Sequence, residues 1–336
     1  SKKVRVRDYG RGIPLEKTVD CVSKMNTGAK YDSETFQKSV GMNGVGTKAV
    51  NALSTYFKIS SVRDGKIKTA EFSEGNLTNE EQIKDTEEKN GTCVEFIPDN
   101  NAKIFGNYNY LDEYVEKMIW NYAYLNKGLS LIYNGKKIQS KKGLFDLLNN
   151  NLQENEALYP IIHLSAGNFE FAFTHSDKVF TEEHYSFVNG QHTTQGGTHQ
   201  SAFREALVKV LKDFFKKDYD PSDIRSGLVA SISLRINEPV FESQTKTKLG
   251  STNMMPDGSG QAVRTFILDA VKSTLDDYLH INSEVAELLL QKIVRNEKER
   301  KGMQNVKKLA KESAKKVSLT NRKLRDGRIH YNSKDP

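Results

Sequence analysis

A glycine-rich segment, Gly41–Lys48, constrains this chain more than any other. Its three glycines lack the Cβ atoms that would stop backbone amides from turning inward together. Val50 and Leu53 follow at helical spacing, so the sequence predicts a helix beginning near Gly46. Unpaired amides and the helix dipole at such a junction both favour an anion. The segment is therefore a candidate phosphate site, with a glycine-rich turn that binds nothing as the alternative.

Two familiar phosphate motifs fail on this segment. Gly41 to Gly46 has the spacing of a P-loop, but Thr47-Lys48 reverses the required order of lysine and hydroxyl residue. A dinucleotide fingerprint must follow a buried strand, whereas residues 31–38 are polar and indicate a loop. The segment alone therefore names no ligand.

Composition excludes several classes of protein. A chain of 336 residues has room for two domains and a sizeable core. The mean hydropathy is −0.63, and neither a bilayer-length apolar run nor a signal-peptide pattern is present. The distant Cys21 and Cys93 provide no disulfide framework, which predicts a reducing cytoplasm. The seven histidines form no HExxH-like pair, so we assign no metal-ligating residue.

The positive charge is concentrated at the C-terminal end. The chain carries a net charge of +7, yet residues 292–336 hold 15 Lys/Arg against 5 Asp/Glu. The remaining 291 residues therefore carry a net charge of −3. This basic segment is either a solvated helix surface or a binding surface for an anionic partner such as DNA.

A tight turn near the N-terminus offers a carboxylate. Val4–Arg7 alternates as a short strand and leads into Asp8–Pro14, where two glycines and a proline force a turn. Asp8 has two interpretations. It is either a turn-initiating residue that binds its own backbone, or an acceptor for the exocyclic amine of a purine.

Three motifs in order resemble those of the Bergerat-fold (GHKL-type) ATPases: Asp8–Pro14, Gly41–Gly46 and Asn90-Gly91-Thr92 opening a strand. That superfamily includes gyrase, heat-shock chaperones, histidine kinases and mismatch-repair ATPases. Residues 26–32 and Val50–Ser54 narrow the resemblance to the B subunits of bacterial type II topoisomerases.

The resemblance implies a nucleotide site. Asp8 would bind the adenine amine, Thr92 would support the same edge, and Lys30 would lie in a lid near the phosphates. The remaining positions of the two motifs would line the cofactor: Gly10, Gly12, Ile13 and Pro14 in the turn, and Gly41, Met42, Asn43, Gly44, Val45, Gly46 and Thr47 around the phosphates. Phe36 and Asn43 replace a tyrosine and a histidine common in the family, which favours topoisomerase IV over gyrase.

The second half resembles the family's transducer domain, a ribosomal-protein-like βαβ unit with a left-handed crossover. The general rule for crossovers predicts the opposite hand. Without the resemblance, residues 241–251 indicate a solvated polar loop. With it, the Gln-Thr-Lys sequence would reach the ATPase domain, Lys246 contacting the γ-phosphate with help from Gln244. We predict an ATPase domain at 1–154, a transducer at 155–291 and a basic stalk at 292–336.

The sequence thus predicts an α+β fold: a Bergerat-fold sheet-and-helix sandwich, a transducer and a long C-terminal helix. The implied function is ATP-dependent gating in the B subunit of a type II topoisomerase. ATP and Mg²⁺ would be the cofactors, with double-stranded DNA, a second copy of the chain and the topoisomerase A subunit as partners. The B subunit of DNA gyrase, a chaperone or mismatch-repair ATPase, and a non-enzymatic DNA-binding module are the alternatives.

The resemblance also implies a glutamate that activates water and an asparagine that binds Mg²⁺, both on a helix before the first strand. Ser1 lies only a few residues before the Asp8 turn, so neither residue has a position here. Glu16 and Asp20 are the nearby carboxylates, and no motif places either as a general base. We therefore expect a truncated chain that binds ATP but barely hydrolyses it.

Several elements are predicted by local pattern. Residues 16–25 form one amphipathic helix with Val19, Val22 and Met25 on one side, and 111–125 form another whose aromatics lie in the core. Hairpins turn at Asp64-Gly65 and Asn134-Gly135. Residues 228–236 form a strand with one buried face, and the helix from Ser283 is apolar only in its first turns, at Val285, Leu288, Leu289 and Ile293.

Overall fold

A computed structural model describes residues 2–25, 27, 44–100, 104–106, 108–153 and 156–320, with side chains to residue 314. The helices are α1 Asp20–Ser23, α2 Gly46–Ala52, α3 Asp112–Leu125, α4 Leu144–Asn151, α5 Thr198–Phe215, α6 Pro221–Arg225, α7 Val263–Ile281 and α8 Ser283–Thr320. The strands are β1 Val4–Arg7, β2 Ser54–Arg63, β3 Lys66–Ser73, β4 Asn76–Glu80, β5 Lys84–Asp85, β6 Gly91–Pro98, β7 Leu131–Tyr133, β8 Lys136–Ile138, β9 Ile162–Ala166, β10 Phe169–His175, β11 Glu182–Val188, β12 Gln191–His192 and β13 Leu228–Leu234.

The first sheet is antiparallel, in the order β1-β6-β2-β3-β4 with β5 paired to β3. The β2–β3 hairpin turns at Asp64 and Gly65, both with positive φ (53° and 76°), as a type I′ turn requires. Asn134 and Gly135 repeat this geometry between β7 and β8. Both predicted hairpins are confirmed.

One face of the first sheet is apolar because side chains alternate along β2 and β3. Phe57, Ile59 and Phe72 are buried there against Val22 of α1. The opposite face carries ion pairs, with Lys58 Nζ 3.0 Å from Glu71 Oε1 and a pair between Lys3 and Glu95. The short helices therefore cover a single face of this sheet, as the α+β prediction requires.

The predicted helix over 16–25 is wrong in its extent. Leu15–Lys17 form a 3-10 turn and α1 is a single turn. Lys24 adopts extended angles (φ −102°, ψ 134°) that end the helix before Met25, whose side chain is 66% exposed. Val22 alone of the predicted stripe is fully buried.

The second sheet has the order β12-β11-β13-β10-β9 and is mixed, because β11 and β13 are parallel while the other pairs are antiparallel. The helices α5 and α7 cover one face over a core that includes Phe171 and Ile232. The helix α4 covers the other face, where Leu148 contacts Val229 in a second apolar cluster. The prediction of one buried face for β13 is therefore wrong, since both faces are covered.

The helix α3 divides its aromatic side chains between core and surface. Trp120 stacks on Tyr124, and both pack into the cluster that contains α4 and the second sheet. Tyr114 and Tyr122 are exposed, which contradicts the prediction that the aromatics of this helix lie in the core. The cluster joins α3 and α4 to the second sheet, and the domain division at residues 154 and 155 stays a prediction.

The last helix, α8, leaves the core part-way along its length. Val285, Leu289 and Ile293 are buried as predicted, whereas Leu288 is 40% exposed. Residues 301–314 are all exposed, as expected of a stalk. None of the helices in the described ranges is long and apolar enough to cross a membrane.

Candidate functional site

The Asp8 turn is attached to the first sheet at the end of β1. The Asp8 amide donates to the carbonyl of Thr92 (2.9 Å), extending the ladder that pairs Arg7 with Cys93. Gly91 has φ 141°, and a Cβ there would lie 2.0 Å from the Asp8 carbonyl oxygen. The close approach of these two backbones therefore requires glycine at position 91.

A second set of contacts holds the same turn against β2. A Cβ on Gly12 (φ 75°) would lie 2.3 Å from the carbonyl oxygen of Val62. The buried Ser61 hydroxyl donates to the carbonyl of Ile13 at 2.8 Å. Ser61 is absent from the predicted site residues, although a polar residue on the apolar side of β2, after Phe57 and Ile59, indicates such a contact. Asp8, Gly10, Gly12, Ile13, Pro14 and Thr92 are thus brought together.

The Asp8 side chain uses only one of its two oxygens within the turn. Its Oδ1 accepts from the Gly10 amide at 2.8 Å, which is the turn-forming interpretation of this residue. Oδ2 accepts no hydrogen bond from another described residue, and the side chain is exposed. A donor from a ligand can therefore reach a carboxylate that its own turn already orients.

The helix α2 begins at Gly46, as predicted, and packs beside α1. Gly44 has φ 55°, and Val45 caps the helix without a side-chain hydrogen bond. Buried Asn51 donates from Nδ2 to the Val22 carbonyl at 3.0 Å, while its Oδ1 has no partner among the described residues. Lys48 Nζ donates to the Thr27 carbonyl at 3.0 Å. Gly44, Val45, Gly46 and Thr47 therefore lie at the α1–α2 junction.

Four predicted cofactor contacts lie outside the described residues: Lys30, Gly41, Met42 and Asn43. The family-typical positions Phe36 and Asn43 belong to the same undescribed segment. Their predicted roles stay predictions.

The 241–251 loop carries the other predicted contacts. Gln244 is exposed and Lys246 is half-buried. Lys246 has φ 57°, a left-handed conformation that costs a side-chain-bearing residue free energy. The predicted contact of Lys246 and Gln244 with the ATPase domain stays a prediction.

Two other carboxylates follow the Asp8 turn in the chain, Asp20 and Glu16. Asp20 forms an ion pair with Lys24 at 2.8 Å, and Glu16 is exposed. Burial raises the pKa of the Cys21 thiol, and both Cys21 and Cys93 are free. The described residues contain no group of three His, Cys, Asp or Glu side chains able to share a metal ion.

Comparison with known families identifies the chain. Residues 110–309, more than half of its length, match the family model described as DNA gyrase B. The chain belongs to the DNA gyrase B family.

It is 45% identical over 98% of its length to the B subunit of DNA topoisomerase 4 from Borreliella burgdorferi, covering 53% of that protein. It is 32% identical over 87% of its length to the B subunit of DNA gyrase from Mycoplasmoides gallisepticum, covering 50% of it. The chain thus spans about half the length of these members of the gyrase B family.

Solved structures of this family share the fold. The 43K ATPase domain of Thermus thermophilus gyrase B, in complex with an aminocoumarin, aligns with a TM-score of 0.64 at 25% identity over 92% of this chain and 84% of that one. The ATP-binding domain of Francisella tularensis topoisomerase IV aligns with a TM-score of 0.66 at 25% identity over 89% and 84%. The predicted α+β fold of the gyrase B type is confirmed.

Proposed function

We propose that this chain is the ATP-binding and ATP-hydrolysing gate region of a type II DNA topoisomerase, within its B subunit. The topoisomerase IV type is favoured over gyrase, because identity to the Borreliella topoisomerase protein is 45% against 32% for the Mycoplasmoides gyrase protein. ATP-driven closure of two copies would capture a DNA duplex for passage through another.

The observation that carries the proposal is the Asp8 turn. A carboxylate held at a strand end fits the exocyclic amine of adenine when Oδ1 is engaged by Gly10 and Oδ2 has no partner among the described residues. Gly12 and Gly91 leave no space for a Cβ, which keeps the turn flush against β2 and β6. The Asp8 amide donates a hydrogen bond to the Thr92 carbonyl, so Thr92 lies beside the turn and would support the same edge of the base.

The phosphates and the reaction are assigned by resemblance. Gly44, Val45, Gly46 and Thr47, with Gly41, Met42 and Asn43, would surround the phosphates, and Lys30 would lie near them. Lys246 would neutralise charge on the terminal phosphate, with Gln244 beside it, because a compact ammonium suits the charge that develops in phosphoryl transfer. When bound, ATP would supply the phosphoryl group whose hydrolysis resets the gate.

Mg²⁺ is proposed on the same resemblance, with no protein ligand assigned. The described residues offer no cluster of metal-ligating side chains. In nucleotide sites Mg²⁺ usually keeps several waters and is bound by substrate phosphates with few protein ligands.

Double-stranded DNA is the proposed macromolecular substrate, with the topoisomerase A subunit and a second copy of the chain as protein partners. Exposed Lys307, Lys308 and Lys311 on the stalk support a contact with phosphates. Membership of the DNA gyrase B family supports a topoisomerase subunit over a chaperone or a mismatch-repair ATPase. A cytoplasmic location stays a prediction from the cysteine content.

The deciding experiment uses the full-length protein with its A subunit. Relaxation, decatenation and supercoiling are measured with ATP, with GTP and without nucleotide. ATP-dependent decatenation without supercoiling is the expected result. ATP-dependent supercoiling would assign the gyrase type instead. DNA binding with no nucleotide dependence in any assay would overturn the assignment as an enzyme and would indicate a DNA-binding module instead.

A further inference from the structure

The 241–251 loop, which carries Gln244 and Lys246, is closed at a narrow neck. Gly250 and Ser251 donate their amides to the carbonyl of Val240, at 2.9 and 3.2 Å. The Val240 amide donates back to the Ser251 hydroxyl at 2.8 Å. The two arms of the loop therefore meet at Val240 and Ser251, and the position of this neck determines where Lys246 can lie.

The start of α5 binds this neck through backbone contacts. The Leu249 amide donates to the Gly196 carbonyl at 3.0 Å, and the Thr198 amide donates to the Leu249 carbonyl at 3.1 Å. The Gln195 amide donates to the Thr247 carbonyl at 2.9 Å, one residue beyond Lys246. These bonds form a short parallel bridge between residues 195–198 and 247–249.

Two features leave this bridge little freedom. A Cβ on Gly197 (φ 132°) would lie 2.4 Å from the Leu249 carbonyl oxygen and 2.5 Å from its nitrogen, so only glycine permits the approach. The Leu249 side chain is 1% exposed in the core beneath α5 and α7. The bridge is thus fixed by the close backbone contact at Gly197 and by the buried side chain of Leu249.

Thr198 adds the one side-chain bond from α5 to the neck that the described residues show. Its Oγ1 donates to the Ser251 carbonyl at 2.6 Å. Ser251 is also the residue that joins the loop's arms through its hydroxyl, so this bond links α5 to the closure point of the loop. The next residue, His199, is buried and lies 3.2 Å from the Thr193 hydroxyl, which holds the preceding turn.

We propose that Gly197 and Thr198 are positioning residues for Lys246 and Gln244, holding the loop from the start of α5. The inference rests on the proposed role of Lys246 at the terminal phosphate. The left-handed backbone at Lys246 is consistent with a loop whose ends are imposed by other contacts, because such a conformation persists only where surrounding structure enforces it. Neither residue would touch the nucleotide, and both would act through the loop.

The test compares Thr198→Val, which removes the hydroxyl at nearly constant shape, with Thr198→Ser, which retains it. In the full-length protein, Thr198→Val is expected to lower ATP turnover at saturating ATP by about tenfold, since small misplacements of a catalytic group cost up to about 10²-fold. ATP affinity should stay within about twofold, because adenine recognition lies at Asp8. Thr198→Ser should restore turnover.

Thr174→Val is the matched control. The Thr174 hydroxyl also donates to a backbone carbonyl, that of Tyr159 at 2.9 Å, in the same half of the chain but away from the loop. The variant Thr174→Val should destabilise the fold without lowering ATP turnover. An equal loss of turnover in Thr174→Val and Thr198→Val would overturn the positioning role, because general destabilisation would then explain both.

A double mutant separates this inference from the proposed function. If Thr198 acts through Lys246, Thr198→Val should add no further loss in a Lys246→Ala background. Equal fractional losses in both backgrounds would overturn the inference while leaving Lys246 in its proposed role. Wild-type turnover in Lys246→Ala would instead remove the proposed function of the loop. Hydrogen exchange at the Leu249 amide should rise in Thr198→Val, and an unchanged rate would also contradict the inference.

Discussion

Arg300 of the stalk helix binds Asp223 of α6 through two parallel hydrogen bonds, from Nε to Oδ1 at 2.7 Å and from Nη2 to Oδ2 at 2.8 Å. Asp223 is 2% exposed, and its backbone carbonyl accepts from Asn296 at 2.8 Å. Nearby, Lys292 Nζ lies 2.8 Å from Asp177 Oδ1. These contacts, which we call the α8 clamp, fix the helix to α6 and to the segment that follows β10, just before α8 becomes fully exposed.

The clamp predicts a clear stability difference between two similar pairs. Asp223→Asn breaks a pair whose carboxylate is buried, which we expect to lower the unfolding free energy by about 3 kcal/mol. Glu205→Gln breaks the pair with Arg264, which is solvent-exposed on both sides, and should have no measurable effect. Urea denaturation measures both variants. Equal losses would show that burial does not set the strength of the α8 clamp.

Adenine recognition predicts a selective loss in Asp8→Asn. Replacing the anionic acceptor should weaken ATP binding by roughly 1.5–3 kcal/mol, since one charge-assisted hydrogen bond is lost. GTP should bind poorly to the unchanged protein, because its carbonyl would face the carboxylate. Calorimetry compares both nucleotides, with Asp64→Asn in the β2–β3 turn as a control. Equal affinity for ATP and GTP would remove Asp8 from the adenine site.

Lys246 predicts a kinetic rather than a binding defect. Lys246→Ala should slow hydrolysis by about 10²–10³-fold if the ammonium stabilises charge in the transition state, as other preorganised groups do. Adenine recognition should be spared. Turnover at saturating ATP is the measurement, and Lys248→Ala, whose ammonium pairs with Glu242 at 2.8 Å in the same loop, is the control. A wild-type rate in Lys246→Ala would make the loop an ordinary solvated one.

The stalk predicts a salt-dependent contact with DNA. Replacing Lys307, Lys308 and Lys311 with glutamine should reduce duplex affinity and flatten its salt dependence by up to about 2.7 in log–log slope, since each phosphate contact contributes about 0.9. Sequence preference should stay unchanged because phosphates carry no base code. The control replaces the exposed Lys66, Lys137 and Lys141, with the same change in charge. An unaltered slope in the stalk variant would mean that the helix is a spacer.

Two buried histidines predict acid sensitivity. Burial lowers the pKa of His175 to about 4 and that of His199 to about 3, against an ordinary value of 6.5. The unfolded chain therefore takes up these protons as the pH falls below 6.5, while the folded chain does not. Each histidine should cost about 2 kcal/mol of stability between pH 7 and pH 5.

Urea denaturation across that range tests the histidine prediction. His199→Gln should reduce the pH dependence by about 2 kcal/mol, since one buried titrating group is removed. His280→Gln, at a side chain 66% exposed, should leave it unchanged. Identical pH dependence in His199→Gln and the unchanged protein would contradict the assignment.

Local chemistry made part of this fold predictable. The turns at Asp64-Gly65 and Asn134-Gly135 need only positive φ at adjacent residues, which the dipeptides themselves favour. The Asp8 turn is similar, because the glycines and the proline within it favour a turn without help from distant residues. By contrast, the second buried face of β13 depends on α4, more than seventy residues earlier in the chain, and no pattern within the strand reports that cover.

The candidate site also has a part that the sequence predicts locally and a part that depends on distant residues. Asp8 and its glycines were found from sequence because they form one contiguous turn. The support of the 241–251 loop by Gly197 and Thr198 joins segments some fifty residues apart. Its bonds, including the one from the Thr198 hydroxyl, end on backbone carbonyls, which any residue provides. In the sequence alone, Gly196-Gly197-Thr198-His199 indicates only the approach to a helix, and its partner cannot be deduced from spacing.

The α8 clamp makes the exposed end of α8 a lever arm. The helix continues for twenty residues from Lys301 to Thr320, about 30 Å at 1.5 Å per residue. A rotation of about 10° at its base would displace the far end by about 5 Å over that length. Because the clamp joins the helix to α6 and to the end of β10, in the same half of the chain as the Lys246 loop, a small tilt of α6 and β10 would become a displacement comparable to one helical turn.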